Sequence, residues 1–194
     1  MQGIPALIFV DESGQKIISD GRKVVLEDEL AEGFPWRPKT AANALANHFV
    51  NNQGHQFTRK HLGDKNVSIL FGAPKDSGTK EFIPKLSELY TKSAEHGAPF
   101  EVIFVSTGHR YKSEFDGMFD SMPWWAIKSN FLKRRAELVN FFEVQQIPTL
   151  IVLDKDLATI SSNGVAEVEA DPTGDSIAWM HRTGSGQAPK VSTC

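Results

Sequence analysis

An internal repeat limits the folds available to this chain, because residues 2–36 align without gaps with residues 145–179. The offset is a constant 143 residues, and 12 of the 35 aligned positions are identical, from the Gln2–Gln145 pair to the Trp36–Trp179 pair. A repeat of this kind marks a duplicated structural unit. The spacing predicts units of about 140 residues. We therefore expect one whole unit, preceded by the C-terminal part of another.

Each copy of the repeat has the outline of a β-hairpin. An Ile-Pro pair leads into a run rich in β-branched residues, ALIFVD in the first copy and TLIVLD in the second. A turn follows, and then a run of alternating character, KIISDGRKVVLE or TISSNGVAEVEA. Because alternation is typical of a half-buried strand, these second runs are predicted to be strands.

The sequence between the copies alternates apolar runs with helical patterns. Short continuous apolar runs favour strands buried on both faces, and apolar residues spaced by three or four favour helices. The predicted order, strand–helix–strand–helix–helix and then the hairpin, indicates a mixed sheet with helices on both faces. The predicted elements are strands at 67–72 and 100–106, helices at 40–50, 76–95, 110–120 and 130–143, and an aromatic connection, MPWWAI, at 122–127.

Composition excludes several functional classes. Apolar residues make up 40% of the chain and charged residues 23%, which is typical of a soluble globular protein. The net charge of −3 argues against a nucleic-acid partner or an anionic membrane surface. No apolar run reaches the roughly 20 residues that span a bilayer, and residues 1–10 lack the basic start of a signal peptide. We expect a cytoplasmic protein, or a nuclear one.

Cysteine and histidine usage argues against a metal site. The only cysteine is Cys194, the last residue, so an internal disulfide is impossible. The six histidines show no metal-ligand spacing, and no phosphate-binding loop or Ser-His-Asp array is present. We therefore expect no metal and no cofactor. Cys194 itself could form a mixed disulfide or an intermolecular bridge.

Several segments resemble a known family. The order of elements, the Ile-Pro-Thr before the hairpin and Pro84 within the preceding helix resemble the thioredoxin fold. A finer resemblance, to the nucleoredoxin and tryparedoxin branch, rests on four segments: FEVIFVST (100–107), MPWWAI (122–127), QIPTLIVLD (146–154) and NGVAEVEADPTGDSIAW (163–179).

The resemblance implies an α/β thioredoxin-like domain preceded by a piece of a second one. Residues 1–38 resemble the C-terminal β-hairpin portion of a preceding domain, residues 39–180 a complete domain, and residues 181–194 form a polar segment expected to be a flexible tail. The hairpin edges of residues 1–38 predict pairing within a homo-oligomer or a larger assembly.

The loop GAPKDSGTKEFIP (72–84) occupies the position that carries two reactive cysteines in this family. Phe82 and Pro84 match the family pattern and set the register, so that Asp76 falls at the attacking cysteine and Thr79 at the resolving cysteine. The buried acid of ordinary thioredoxins aligns near Leu70. Thiol–disulfide exchange needs a thiolate and a second thiol, and neither is present here. The resemblance therefore implies no catalytic residue.

Two interpretations of this loop remain open. Asp76, Ser77 and Thr79 are N-cap residue types, so Asp76-Ser77-Gly78-Thr79 could simply begin the helix. By the resemblance, the loop also faces Ile147 and Pro148, with the proline cis. A groove between Lys75–Thr79 and Ile147–Pro148 could hold a peptide or a small anion.

The function predicted from the sequence is a redox-inactive thioredoxin-like module that binds a protein or peptide partner or acts as a scaffold. The alternative is a fragment or degenerate domain of a thiol–disulfide oxidoreductase whose reactive cysteines lie in another module. Two other clusters receive structural interpretations. Trp124 and Trp125 are predicted to pack in the core or at its rim, and residues 133–135, Lys-Arg-Arg, to form a solvated helix face.

Overall fold

The computed structural model describes residues 7–10, 12, 14, 16–18, 21–28, 30, 40–45, 48–95, 100–108 and 112–180. Contacts divide the chain into two compact units, Met1–Thr40 and Ala41–Cys194. The expected flexible tail at 181–194, with Cys194, lies outside the described residues.

The first unit contains a short antiparallel hairpin followed by a helix. Its elements are β1 (Phe9–Val10), β2 (Lys16–Ile18) and α1 (Gly21–Glu27). The second unit begins with α2 (Ala41–Leu45), β3 (Phe49–Val50), β4 (Gln56–Phe57) and a 3-10 turn at Arg59–Leu62. It continues with β5 (Val67–Gly72), α3 (Ser77–Glu95), β6 (Glu101–Ser106), α4 (Lys112–Phe119), β7 (Trp125–Ala126), α5 (Leu132–Phe141), β8 (Thr149–Leu153), β9 (Thr159–Ser161) and α6 (Gly164–Ala170).

Seven strands of the second unit form one mixed sheet, in the order β4-β3-β7-β6-β5-β8-β9. Strands β5, β6 and β7 run parallel to one another, and the outer pairs are antiparallel. The parallel strands are joined through helices, as a crossover connection requires. The predicted mixed α/β sheet of the thioredoxin-like type is confirmed.

Strands β5 and β6 are buried along their whole length because helices cover both faces of the sheet. Leu70 and Phe104 point into a core formed with α3, α4 and α6, whereas Ile69 and Ile103 point into a second core formed with α2 and α5. Neighbouring residues of a strand face opposite sides, so a strand in this position needs apolar side chains at nearly every step. This explains the continuous runs VSILFG and EVIFV.

The internal repeat is also a structural repeat. Adding the offset of 143 to the residue numbers of β2 and α1 gives the bounds of β9 and α6. Both hairpins carry a register shift at the same aligned position, between Phe9 and Val10 in one and between Val152 and Leu153 in the other. Each unit, taken by itself, therefore contains the same strand–strand–helix motif.

The second run of each repeat was predicted to be a strand, and most of it is helix. After three residues of strand, α1 and α6 begin at Gly21 and Gly164. A β-carbon on Gly164 would lie 2.8 Å from the carbonyl oxygen of Leu150, so only glycine lets the helix start this close to the strand. Val165 and Val168 then point inward at helical spacing. The alternation of VAEVEA therefore reflected one face of a helix.

Two further predictions need correction. The helix at 40–50 ends at Leu45, and Phe49–Val50 forms an inner strand of the sheet. The aromatic connection at 122–127 contains β7, which runs parallel to β6. Strands of two residues carry too little pattern to be detected in the sequence. Trp124 is buried and Trp125 stacks on Phe57 at a ring-centroid distance of 4.5 Å, which confirms their packing role.

A buried carboxylate lies at the start of β6. Glu101 is only 3% exposed, and its Oε1 accepts hydrogen bonds from the Tyr90 hydroxyl and from the Val102 backbone N–H, both at 3.1 Å. The Lys65 ammonium is 4.0 Å from Oε2. Desolvation raises the pKa of Glu101 above its ordinary value of 4.5, against the opposing effect of Lys65. The folded protein therefore binds this proton more tightly than the unfolded chain does.

Glu101→Gln is expected to become progressively more stable than the parent protein as pH rises. The contribution of Glu101 to the free energy of unfolding is fully present below about pH 4.5. It is lost as pH rises through the raised pKa, since the folded protein must then bury a charge. Glutamine keeps the acceptor for Tyr90 and Val102 without that charge. Urea denaturation over a pH series measures the difference. The exposed Glu81→Gln is the control, and a difference that does not grow with pH would contradict the interpretation.

Candidate functional site

The pairing of β5 with β8 brings two loops together at one edge of the sheet. The strands are antiparallel, and Phe71, near the end of β5, pairs with Thr149 at the start of β8. The loop after β5 therefore lies beside Pro148, which precedes β8. A β-carbon on Gly78 would lie 3.0 Å from Cδ of Pro148. The Ile147–Pro148 peptide bond is cis.

Asp76 is the N-cap of α3. Its Oδ2 accepts hydrogen bonds from the backbone N–H and from the hydroxyl of Thr79, both at 2.6 Å. The helix starts at Ser77, so Thr79 occupies the third helical position, where a capping side chain satisfies an otherwise unbonded N–H group. The N-cap interpretation of the sequence is confirmed.

Thr79, which the family resemblance places at the resolving-cysteine position, is fully buried. Its hydroxyl donates to Asp76 and accepts a 3.3 Å hydrogen bond from the backbone N–H of Ala73. Its methyl group lies against β5, since a β-carbon on Gly72 would be 2.5 Å from Thr79 Cγ2. Thr79 therefore joins the loop, the helix start and the strand, and its hydroxyl is directed at structural partners.

The remaining predicted residues line the surface around this cap. Lys75 is largely exposed and forms a 2.8 Å ion pair with Glu114 of α4. Ser77 is exposed, whereas Gly78, Ile147 and Pro148 are half-buried. The loop that contains Lys75–Thr79 thus lies beside Ile147–Pro148, and the two segments come closest at Gly78 and Pro148.

The described residues carry none of the groups that thiol chemistry requires. The sole cysteine of the chain lies outside them, and Leu70, aligned near the buried acid of ordinary thioredoxins, is part of the apolar core. Within the described ranges there is no group of three or more His, Cys, Asp or Glu side chains placed to hold a metal ion. In the same part of the chain, no helix is both long and apolar enough to cross a membrane.

The structure also forms a groove beside the loop that no sequence motif predicts. It has a volume of about 530 Å³ and runs between the start of α3 and α4, with Lys75 at one end and Ile83, Pro84 and Met118 among its apolar walls. These residues come from two helices separated by a strand, so no local motif marks them. Only the apolar spacing within each helix hints that the helices face each other.

The prediction of a solvated face at residues 133–135 is wrong for Arg135. This side chain is buried, and it donates a 2.8 Å hydrogen bond from Nη1 to the carbonyl oxygen of Ser106. Desolvation lowers the pKa of Arg135. Lys133 is exposed, and Arg134 is half-buried and donates from Nη1 to the carbonyl oxygen of Ala44 at 3.2 Å.

Comparisons with known proteins agree on the type of domain. A family model described as Thioredoxin-like matches residues 63–159. The nucleoredoxin of Mus musculus is 33% identical over 180 residues, which cover 92% of this chain and 41% of that protein. The chain thus spans about two fifths of the length of this relative. The tryparedoxin of Trypanosoma brucei brucei is 33% identical over 120 residues, which cover 61% of this chain and 81% of that protein.

A solved structure shows the same architecture. Native tryparedoxin I from Crithidia fasciculata superposes with a TM-score of 0.63 at 30% identity, covering 69% of this chain and 91% of that one. Sequence and fold therefore point to the same relatives.

Asp76→Ala is expected to destabilise the protein by about 1 kcal/mol, since it removes the N-cap of α3. Asp76→Ser should recover most of the loss, because a serine hydroxyl can also accept a hydrogen bond from the Thr79 N–H. Urea denaturation of the parent and both variants measures the free energies of unfolding. Equal losses in the alanine and serine variants would show that the cap does not stabilise the helix.

Proposed function

Because the chain belongs to the thioredoxin-like family, in its nucleoredoxin and tryparedoxin branch, we propose that it is a module without thiol–disulfide exchange activity. Its task is to bind an extended segment of a protein partner. The binding surface is the groove between Lys75–Thr79 and Ile147–Pro148. The main support for this proposal is that the two loops meet at Gly78 and Pro148, while Asp76 and Thr79 are hydrogen-bonded to each other.

The chemistry of the loop supports the loss of exchange activity. A disulfide is attacked by a thiolate, and a carboxylate or a buried hydroxyl cannot replace it. Asp76 and Thr79 instead stabilise the start of α3. In this proposal Asp76 and Thr79 take the positions of the two reactive cysteines and serve a structural role, and the surrounding surface is kept.

The shape of the surface supports a peptide ligand. An extended peptide can pair with exposed backbone, while pockets beside it accept side chains. The space of about 530 Å³ between α3 and α4, which adjoins this surface at Lys75, offers such a pocket, with apolar walls from Ile83 and Met118. Glu114 on the same lining pairs with Lys75, and Lys80 adds a further cation, which suits a peptide that combines an apolar with an acidic side chain.

Coverage of the relatives supports a second candidate function. The chain matches 41% of the mouse nucleoredoxin, so its counterpart in such a protein is one part of a longer polypeptide. In that setting the module would be the non-reactive part of a thiol–disulfide oxidoreductase whose cysteines lie in another module. Binding of a substrate segment and absence of exchange in this module fit both candidates.

The full chain is expected to show no reductase activity towards insulin beyond that of dithiothreitol alone. The assay follows insulin precipitation, with a Cys194→Ser variant as the matched control for the single thiol. Turnover that disappears in the Cys194→Ser variant would overturn the proposal that the module is inactive in exchange.

Gly78→Ala is expected to weaken peptide binding, because its β-carbon would lie 3.0 Å from Pro148 Cδ and shift the two loops by a few tenths of an ångström. Peptides are selected on the full chain from a phage-displayed library, and their affinities are measured by fluorescence anisotropy. Thr91→Ala is the control, since this exposed residue lies towards the end of α3 and does not line the groove. Failure to select any peptide, or equal binding by both variants, would contradict the proposed groove.

A further inference from the structure

We propose that a cavity at the start of α5 is a second binding site, for a small amphipathic organic anion. The ligand class is a carboxylate or sulfonate attached to an aliphatic or aromatic body. The cavity has a volume of about 510 Å³, which is the usual size for a small-molecule site. This site uses different residues from the peptide groove and does not depend on it.

The position of the cavity follows from the sheet. Its floor includes Ile127, which directly follows β7 and donates a 2.9 Å backbone hydrogen bond to the carbonyl oxygen of Phe104. Strand β7 is parallel to β6 and β5, so its end lies at the same edge of the sheet as the Asp76 loop. Two strand spacings separate them, roughly 10 Å. Open α/β sheets bind ligands along this edge.

The lining of the cavity has an apolar floor. Leu45 and Ile127 are almost fully buried, and Phe131 is half-buried against the same core. Leu132, also on the lining, is 65% exposed. Among the described residues of Ala41–Cys194, it is the only large hydrophobic side chain exposed to that degree. Apolar surface at the mouth, continuous with an apolar floor, suits a ligand with an apolar body.

The polar lining favours an anionic group. Lys133 and Arg134 supply two positive charges against one negative charge from Glu137, and His48 and Asn130 add polar side chains. The excess of one positive charge contrasts with the net charge of −3 for the whole chain. Arg134 is held in place by its 3.2 Å hydrogen bond to Ala44. That bond uses one of the five guanidinium donors.

These features explain what the basic run at residues 133–135 does. Arg135 turns inward and supports the end of β6, whereas Lys133 and Arg134 line the cavity. A solvated helix face would not require an anchored arginine or a neighbouring apolar floor. The mixed lining thus selects for a ligand that carries both an anionic and an apolar part.

The test uses anilinonaphthalene sulfonate as the probe, titrated into the full chain and followed by backbone amide chemical shifts. Saturable binding is expected, with shifts at His48, Ile127 and Phe131. Lys133→Glu should weaken the affinity about tenfold, the effect of losing one hydrogen bond to a charged group. Asn130→Trp should block the cavity from its exposed rim. Inorganic phosphate at the same concentration should leave these amides unchanged, because it lacks an apolar body.

Lys92→Glu is the matched control, with the same charge change on α3, which packs on the opposite face of the sheet. It should bind the probe as the parent does. Shifts confined to other residues, or equal affinities for the Lys133→Glu and Lys92→Glu variants, would overturn the proposal. Equal effects of phosphate and the probe would also overturn it, since the site would then recognise charge alone.

Discussion

Strand β5 determines, through its two neighbours, where the surrounding elements lie. It pairs with β6 in parallel and with β8 in antiparallel orientation, and it is buried along its whole length. The parallel neighbour requires a crossover, which places α3 directly after the strand. The antiparallel neighbour brings Pro148 to the same end. One buried strand therefore determines where the loop, the helix start and the proline meet.

The hydrogen bonds between Asp76 and Thr79 place a capping carboxylate at the N-terminus of α3. The N-terminus of a helix stabilises negative charge, which is why it can activate a thiolate and why it also favours a capping carboxylate. In this chain the carboxylate of Asp76 uses that site, and Thr79 fills the buried position behind it. The helix N-terminus favours a negative charge on a thiolate and on a carboxylate alike, but a carboxylate cannot exchange disulfides.

The sequence predicts the long elements and fails on the short ones, for physical reasons. Strands such as 67–72 are apolar throughout because both faces are covered, and α3 has four turns of helical spacing with a capping residue. The two-residue strands β3, β4 and β7 carry no pattern of their own. The sequences of helices α1 and α6 resemble strands because seven residues place only two or three side chains inward, too few to distinguish helical spacing from alternation. The N-cap was predictable because Asp76 interacts locally. The groove at Ile83 and Met118 and the cavity at Lys133 were not, because separate elements build them.

Restoring the two cysteines tests whether the loop keeps the geometry of the reactive position. An Asp76→Cys, Thr79→Cys variant in a Cys194→Ser background is treated with oxidised glutathione, and free thiols are titrated. An intramolecular disulfide is expected, because these positions lie together at the start of α3. It would be seen as loss of both thiols without retained glutathione and recovery of both with dithiothreitol. Two thiols that stay free, or that each retain glutathione, would show that the loop does not keep the geometry of the reactive site.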